Sequence, residues 1–228
     1  MMRRNIALIP AAGVGARFGA GKPKQYVEIN GKTVLQHTIE IFEQHSRIDL
    51  IAVILSPEDS VFQTALSEKV RVFRVGGASR AETVRNGVST LLEQGLAEAQ
   101  DNILVHDAAR CCLPAEALTR LLDEAGENDE GGILAIPVAD TLKRSDGSHH
   151  IEETVARAGL WQAQTPQLFQ TALLHRALSV DDLSEITDEA SAIEKLGIRP
   201  RLVQGDTRNL KLTLPQDEYI VRLLLKAV

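Results

Sequence analysis

Short apolar runs of strand length alternate along the chain with segments whose apolar residues recur at helical spacing. Strands are predicted over residues 5–10, 50–56, 70–75, 102–106, 132–137 and 201–204. Helices are predicted over residues 33–45, 58–68, 79–94, 114–125, 167–178, 188–196 and 215–227. Because neighbouring parallel strands need long crossover connections, this alternation predicts an α/β fold with a mostly parallel central sheet and helices on both faces.

Residues 138–159 interrupt the alternation. They contain Asp146-Gly147, a dipeptide typical of hairpin turns, between extended segments rich in polar residues. We therefore expect a β-hairpin arm that projects from the sheet and packs on another surface, such as a second copy of the chain. No repeat or linker divides the sequence, so residues 1–228 are interpreted as a single domain that includes this arm.

The first predicted strand leads into a segment, residues 10–25, that is rich in glycine and in positive charge. Gly13 and Gly15 let the backbone approach a ligand closely, and Arg17, Lys22 and Lys24 add cations with no Asp or Glu among them. In a parallel sheet, ligands bind beyond the carboxyl ends of the strands. The segment is therefore predicted to bind phosphate groups of a nucleotide.

Two standard phosphate motifs almost match this segment. A P-loop requires a leading glycine and a hydroxyl residue after Gly-Lys, but Ala16 and Pro23 stand at those positions. A dinucleotide fingerprint fails because its third glycine is one position late and no acidic residue ends the second strand.

The composition limits which classes of binding partner and which cellular compartment are expected for the protein. The net charge is −6 and aromatic residues make up 4% of the chain, which argues against a nucleic-acid partner. The two cysteines, Cys111 and Cys112, are adjacent and cannot build a disulfide framework. The longest apolar stretches are too short for a membrane span or a signal peptide. We expect a cytoplasmic protein without a membrane partner.

Eight short segments, each present once and spread over nearly the whole chain, form a recognisable series. They are residues 10–17 (PAAGVGAR), 23–25 (PKQ), 76–80 (GGASR), 106–110 (HDAAR), 140–143 (DTLK), 159–167 (GLWQAQTPQ), 187–191 (TDEAS) and 209–211 (NLK). Together they resemble the 2-C-methyl-D-erythritol 4-phosphate cytidylyltransferase family. The resemblance implies a Rossmann-like nucleotidyltransferase fold. It also implies transfer of a cytidylyl group from CTP to 2-C-methyl-D-erythritol 4-phosphate, giving 4-diphosphocytidyl-2-C-methyl-D-erythritol and pyrophosphate, in the non-mevalonate isoprenoid pathway.

The resemblance also implies roles for individual residues. Stabilisation of the transition state is assigned to Arg17 and Lys24. CTP binding is assigned to Pro10, Ala11, Ala12, Gly13, Gly15, Gly77, Arg80 and Thr83. Acceptor binding is assigned to Asp107, Arg110, Thr141, Arg157, Thr165 and Lys211. Mg²⁺ or another divalent cation is expected mainly on the CTP phosphates.

Several of these assignments have alternatives. Asp107 could hold Mg²⁺ or orient an acceptor hydroxyl, and Arg110 could form an ion pair with Asp107 instead of binding the acceptor phosphate. Many relatives carry Asp where this sequence has Ala78, so a ribose contact there is lost or replaced. In the family the arm crosses to a second subunit, so Arg157 and Thr141 are expected to act across a homodimer.

Three other functions compete with this interpretation. A nucleotidyltransferase for another polyol phosphate would share the CTP site. A dinucleotide-dependent oxidoreductase is disfavoured by the failed glycine spacing and the missing ribose acid. A non-catalytic nucleotide sensor would not need both Arg17 and Lys24, since binding alone does not require charge that stabilises a transition state.

Overall fold

The computed structural model describes residues 3–13, 23–63 and 67–226. Within these ranges the strands are β1 (Asn5–Pro10), β2 (Glu28–Ile29), β3 (Lys32–Thr33), β4 (Leu50–Ile54), β5 (Val70–Phe73), β6 (Asn102–Val105), β7 (Gly132–Pro137), β8 (Leu142–Ser145), β9 (Ile151–Val155), β10 (Trp161–Gln170) and β11 (Arg201–Gln204). The helices are α1 (Val34–Gln44), α2 (Arg80–Glu93), α3 (Ala115–Ala125), α4 (Thr171–Leu178), α5 (Glu189–Glu194) and α6 (Asp217–Leu224), with a short 3-10 helix at Lys24–Tyr26.

The central sheet of these described residues has seven strands in the order β11-β7-β10-β6-β1-β4-β5. Strand β1 pairs in parallel with β4 on one side and with β6 on the other, with Leu8 opposite Ala52 and Val105. β4 and β5 are also parallel, as are β7 and β11. Only β10 runs against its neighbours β6 and β7 within the described sheet. The predicted α/β fold with a mostly parallel sheet is therefore confirmed.

The alternation of side chains along β1 explains why helices cover both faces. Ala7 and Ile9 join a buried cluster that includes residues of α1 and α3, such as Leu35 and Leu118. Ile6 and Leu8 point to the opposite face and join a cluster with residues of α2, α4 and α5. Successive side chains of a strand point to opposite faces, so a run that is apolar throughout must be covered on both sides.

The helix predicted over residues 167–178 is wrong in its first part. Residues up to Gln170 belong to β10, and the helix α4 covers Thr171–Leu178. Leu168 pairs with Leu104 and Phe169 with Ile103, and their side chains pack in the two clusters on opposite faces of the sheet. Pairing with β6 decides the strand here, since a short apolar run fits either a helix or a buried strand.

The helix predicted over residues 58–68 is also wrong for the residues that the structure describes, 58–63 and 67–68. The Asp59 carboxylate accepts hydrogen bonds from the backbone N–H groups of Val61 and Phe62 and from the hydroxyl of Tyr26. Such side-chain to backbone bonds offer the chain an alternative to helical pairing.

The hairpin predicted within residues 138–159 is present as β8 and β9, which pair antiparallel with Leu142 opposite Val155. At its tip, one carboxylate oxygen of Asp146 accepts from the N–H groups of Ser148 and His150, which closes the turn. Most of the hairpin is exposed.

No described helix combines the length and the apolar character that crossing a membrane would require.

Candidate active site

A cavity of about 570 Å³ opens beyond the carboxyl ends of β1 and β6. Five separate segments of the chain line it: Pro10, Ala11, Ala12, Gly13, Lys24, Gln25, Gly77, Ala78, Ser79, Arg80, Thr83, Asp107, Ala108, Ala109, Lys211 and Thr213. This is the edge of a parallel sheet at which ligands are expected. The cavity therefore brings together most of the residues predicted for CTP, with Asp107 and Lys211 from the acceptor set.

The start of the glycine-rich segment is held in shape by Gln25. Its side-chain amide is buried and donates to the carbonyl oxygens of Ala11 at 3.0 Å and Gly13 at 2.9 Å. The next residue back, Lys24, is half-buried and lines the cavity. Gly15 and Arg17, predicted for CTP binding and catalysis, lie outside the described residues. No local sequence pattern around Gln25 indicates which groups its amide contacts, so this role was not predicted.

The loop before α2 forms another wall of the cavity. The hydroxyl of Thr83 accepts from the N–H of Gly77 at 3.1 Å and donates to the carbonyl of Ser79 at 2.9 Å. The N–H of Ala78 donates to the carboxylate of Glu82 at 2.8 Å. The Thr83 hydroxyl, which the resemblance assigns to CTP binding, therefore braces the loop backbone at the lining of the cavity.

Gly76, just before this wall, has no room for a side chain. A Cβ there would lie 2.3 Å from Cβ of Ala12 and 2.7 Å from the carbonyl oxygen of Leu55. The missing side chain lets the loop pack closely against the end of β1, so the two walls of the cavity hold each other in place.

Asp107 is the centre of charge in the cavity. Its Oδ1 lies 2.9 Å from Nε of Arg80, and its Oδ2 lies 2.8 Å from Nζ of Lys211 and 3.6 Å from Nε of Arg110. Burial alone would raise the pKa of Asp107, but the neighbouring cations outweigh burial and hold it well below its usual range. Asp107 is therefore an ionised carboxylate with a cation on each oxygen.

Arg80 connects Asp107 to a second carboxylate, that of Glu189, which was not predicted as a site residue. Its Nη1 and Nη2 donate to the two oxygens of Glu189 at 2.7 and 3.0 Å. Burial alone would lower the pKa of Arg80, but the two carboxylates outweigh it, so its pKa is raised. Glu189 is 1% exposed, which no local pattern around residue 189 indicates.

Thr165, predicted as an acceptor ligand, is buried beneath Asp107. Its hydroxyl oxygen accepts from the N–H of Asp107 at 3.1 Å and lies 3.1 Å from Nδ1 of His106. Because Nε2 of His106 lies 2.9 Å from the carbonyl of Arg110, that nitrogen must carry the proton, and Nδ1 accepts from Thr165. Thr165 and His106 thus brace the turn that presents Asp107.

Three other predicted acceptor ligands lie apart from the lining of the cavity. Arg110 donates from Nη1 to the carbonyl of Asn209 at 2.6 Å, so it contacts the segment before Lys211 as well as Asp107. Its alternative as an ion pair with Asp107 fits these contacts. Thr141 and Arg157 are exposed residues of the arm region.

The described residues contain no group of three His, Cys, Asp or Glu side chains that could hold a metal ion. Both oxygens of Asp107 already have cationic partners.

A mostly parallel α/β sheet, a glycine-rich sequence after its first strand and a cation-lined cavity at its carboxyl edge are typical of nucleotide-binding enzymes of the nucleotidyltransferase class. The family model described as 2-C-methyl-D-erythritol 4-phosphate cytidylyltransferase matches residues 5–227. The chain therefore belongs to this family, whose reaction transfers a cytidylyl group from CTP to 2-C-methyl-D-erythritol 4-phosphate in isoprenoid biosynthesis.

Individual relatives agree with the family model. A 2-C-methyl-D-erythritol 4-phosphate cytidylyltransferase of Neisseria meningitidis serogroup C / serotype 2a is 70% identical, over 100% of both chains. A crystal structure of a 4-diphosphocytidyl-2C-methyl-D-erythritol synthase has a TM-score of 0.89 at 64% identity, covering 99% of this chain and 100% of that one. The Francisella tularensis 2-C-methyl-D-erythritol 4-phosphate cytidylyltransferase has a TM-score of 0.82 at 31% identity, over 97% and 99% of the two chains.

Proposed function

We propose that this chain transfers the cytidylyl group of CTP to 2-C-methyl-D-erythritol 4-phosphate in the cavity beyond β1 and β6. One observation carries the proposal: Lys24, Asp107 and Lys211, from three distant segments, line the same cavity. Lys24 and Arg17 serve the triphosphate, while Asp107 and Lys211 serve the acceptor.

Charge neutralisation is the main chemical task of such a site. The acceptor phosphate oxygen attacks the α-phosphorus of CTP and pyrophosphate leaves, so two anions must approach each other. The acceptor phosphate is already ionised, and no general base is required. Lys24 and Arg17 are suited to balance the charge that develops on the α-phosphate, as preorganised cations do at other developing anions.

Recognition of the nucleoside is assigned to small residues and to the backbone. Ala11, Ala12 and Gly13 follow β1, and Gly77 lines the same cavity. Because these residues are small, their main-chain groups can approach a base closely and form hydrogen bonds with its edge. Thr83 contributes by holding Gly77 in position, and the Ser79 hydroxyl caps α2 by accepting from the N–H of Glu82.

Mg²⁺ is proposed to enter with the triphosphate. When bound, it supplies Lewis-acid stabilisation of the phosphate oxygens. Lys24 would complement it from the protein side. Asp107 is better suited to orient an acceptor hydroxyl than to ligate the metal, since the positive charges of Arg80 and Lys211 beside its oxygens repel a divalent cation but leave lone pairs for a hydroxyl donor.

The arm is proposed to join two subunits into a homodimer in which Arg157 and Thr141 reach the partner's site. Three large apolar side chains on the arm and at the start of β10 support this, because they are exposed: Ile151 by 67%, Leu160 by 39% and Trp161 by 37%. A second copy would cover them. A cytoplasmic location remains our prediction, consistent with the free thiols of Cys111 and Cys112.

A pyrophosphate-release assay tests the activity. With CTP and Mg²⁺, we expect release with 2-C-methyl-D-erythritol 4-phosphate and much slower release with ribitol 5-phosphate or erythritol 4-phosphate. UTP in place of CTP tests the base, and omission of the acceptor gives the background of CTP hydrolysis. Absence of release with 2-C-methyl-D-erythritol 4-phosphate would overturn the proposal.

A further inference from the structure

A chain of buried charges runs behind the wall of the cavity, from Glu189 through Arg80 to Asp107. The Glu189 carboxylate binds both outer nitrogens of Arg80, at 2.7 and 3.0 Å, and the inner nitrogen of Arg80 binds Asp107 at 2.9 Å. The side chains of Glu189 and Asp107 are 1% and 10% exposed. Glu189 itself is not among the residues that line the cavity.

The geometry of the Arg80 guanidinium makes this series of contacts depend on direction. The group is planar, and a carboxylate that binds two of its nitrogens fixes the plane as well as the position. With the plane fixed, the direction of the Nε–H bond toward Asp107 is fixed too. Glu189 therefore controls how one oxygen of Asp107 is held, although it does not touch Asp107 by any hydrogen bond.

Glu189 is itself held by the central sheet. Gln167 of β10 donates from Nε2 to the carboxylate of Asp188 at 2.8 Å and accepts from the N–H of Ala190 at 2.8 Å. These bonds grip the chain on both sides of Glu189. The position of the Glu189 carboxylate is therefore set by a strand that pairs directly with β6, whose end presents Asp107.

Without Glu189, Arg80 would become a mobile cation beside the nucleotide site. Arg80 lines the cavity, and Asp107 alone would bind it through one nitrogen, so the plane of the guanidinium would no longer be fixed. Asp107 would then keep Lys211 as its close partner but lose the fixed contact on its other oxygen.

We propose that Glu189 is a positioning residue that acts through Arg80 to orient the Asp107 carboxylate toward the acceptor. This proposal rests on the proposed function, in which Asp107 serves the acceptor and not CTP. A purely structural role of the Glu189–Arg80 ion pair would differ, because such a pair would contribute to folding without affecting one substrate more than the other.

The first test replaces the charge of Glu189 and keeps its size. With saturating CTP, Glu189→Gln should lower kcat/KM for 2-C-methyl-D-erythritol 4-phosphate by about 10- to 100-fold, as expected for a charged hydrogen bond, while CTP affinity changes by less than about threefold. Asp101→Asn is the matched control. Asp101 is 3% exposed and accepts from the N–H of Glu98, at the opposite end of β6. It should lose thermal stability with unchanged kinetic constants.

A double-mutant cycle then tests the route through Asp107. In an Asp107→Asn background, Glu189→Gln should cause little further loss, because the group that it positions is already gone. Multiplicative losses would overturn the proposal. If Asp107→Asn alone leaves acceptor kinetics unchanged, the proposed function of Asp107 fails. If Asp107→Asn is impaired and Glu189→Gln affects only stability, the positioning role fails instead.

A double substitution that removes one positive and one negative charge keeps the proposal testable if Glu189→Gln does not fold. Arg80→Met combined with Glu189→Leu removes both buried charges, and such replacements often retain stability. The proposal expects this double variant to fold and to stay impaired with 2-C-methyl-D-erythritol 4-phosphate. Recovery of acceptor kinetics together with thermal stability would show that the pair is merely structural.

Discussion

The carboxylate of Asp107 and the ammonium group of Lys211 lie 2.8 Å apart, although the two residues come from opposite halves of the chain. Asp107 follows β6, and Lys211 belongs to the segment between β11 and α6. The N–H of Leu212 donates to the carbonyl of Ala109 at 2.8 Å, which ties these two segments together. The pair therefore marks where the acceptor end of the cavity is assembled.

Replacing Lys211 should weaken use of the acceptor specifically. We expect Lys211→Met to lower kcat/KM for 2-C-methyl-D-erythritol 4-phosphate by about 10- to 100-fold, the scale of a lost charged hydrogen bond. Initial rates at saturating CTP measure the effect. Lys195→Met is a matched control, because Lys195 pairs with Glu185 on the surface. An equal loss in the control, or a loss confined to CTP binding, would contradict this role.

Replacing Lys24 should instead slow the chemical step. Loss of one preorganised donor at a developing anion costs about 10²- to 10³-fold in rate, so Lys24→Met should lower kcat by that factor. CTP affinity, measured separately by equilibrium titration, should fall far less. Lys32→Met provides the control, since Lys32 pairs with Glu40 on the exposed side of α1. If Lys24→Met raised only the KM for CTP, the role in the transition state would be refuted.

The arm can be tested by mixing two inactive variants. If Arg157 acts in the partner's site, a heterodimer of Lys24→Met and Arg157→Ala subunits contains one site with both residues intact. Random reassembly should therefore restore about one quarter of the wild-type activity, because half of the dimers are mixed and each has one good site. Pyrophosphate release after co-refolding measures this. Failure of the mixture to exceed its two parents would place Arg157 in its own subunit's site.

Acid should destabilise the fold through His106. Burial lowers the pKa of His106 from 6.5 to about 4, so the folded protein keeps this ring neutral while the unfolded chain binds a proton below pH 6.5. Stability is therefore retained above about pH 6.5 and falls as the pH drops toward 4, by up to about 3 kcal/mol from this residue. Urea unfolding of wild type and His106→Gln across this range should show a shallower loss in the variant. Parallel curves would rule His106 out as the cause.

The alternation of apolar runs was sufficient to predict the α/β class, because a strand that is apolar on both faces must be covered on both faces. It was not sufficient for β10. Leu168 and Phe169 suit a buried strand or a helix equally well, and pairing with β6, which is remote in sequence, decides between the two. The absence of the predicted helix at residues 58–63 has a local cause, the hydrogen bonds of Asp59 to the backbone. The hydrogen bond between Asp59 and Tyr26, in contrast, is a tertiary contact.

For the site, the glycines and cations of residues 10–25 predicted phosphate binding from a local pattern, whereas the roles of Asp107 and Lys211 were predicted from the family resemblance. The roles of Gln25, Thr83 and Glu189 were decided by the tertiary structure. Each of them acts through a hydrogen bond to a group whose position depends on the folded backbone, and for Glu189 the partner Arg80 is separated from it by more than a hundred residues. Sequence alone determined which groups can carry charge, and packing alone determined which of those charges meet, because burial makes an unpaired charge too costly to keep.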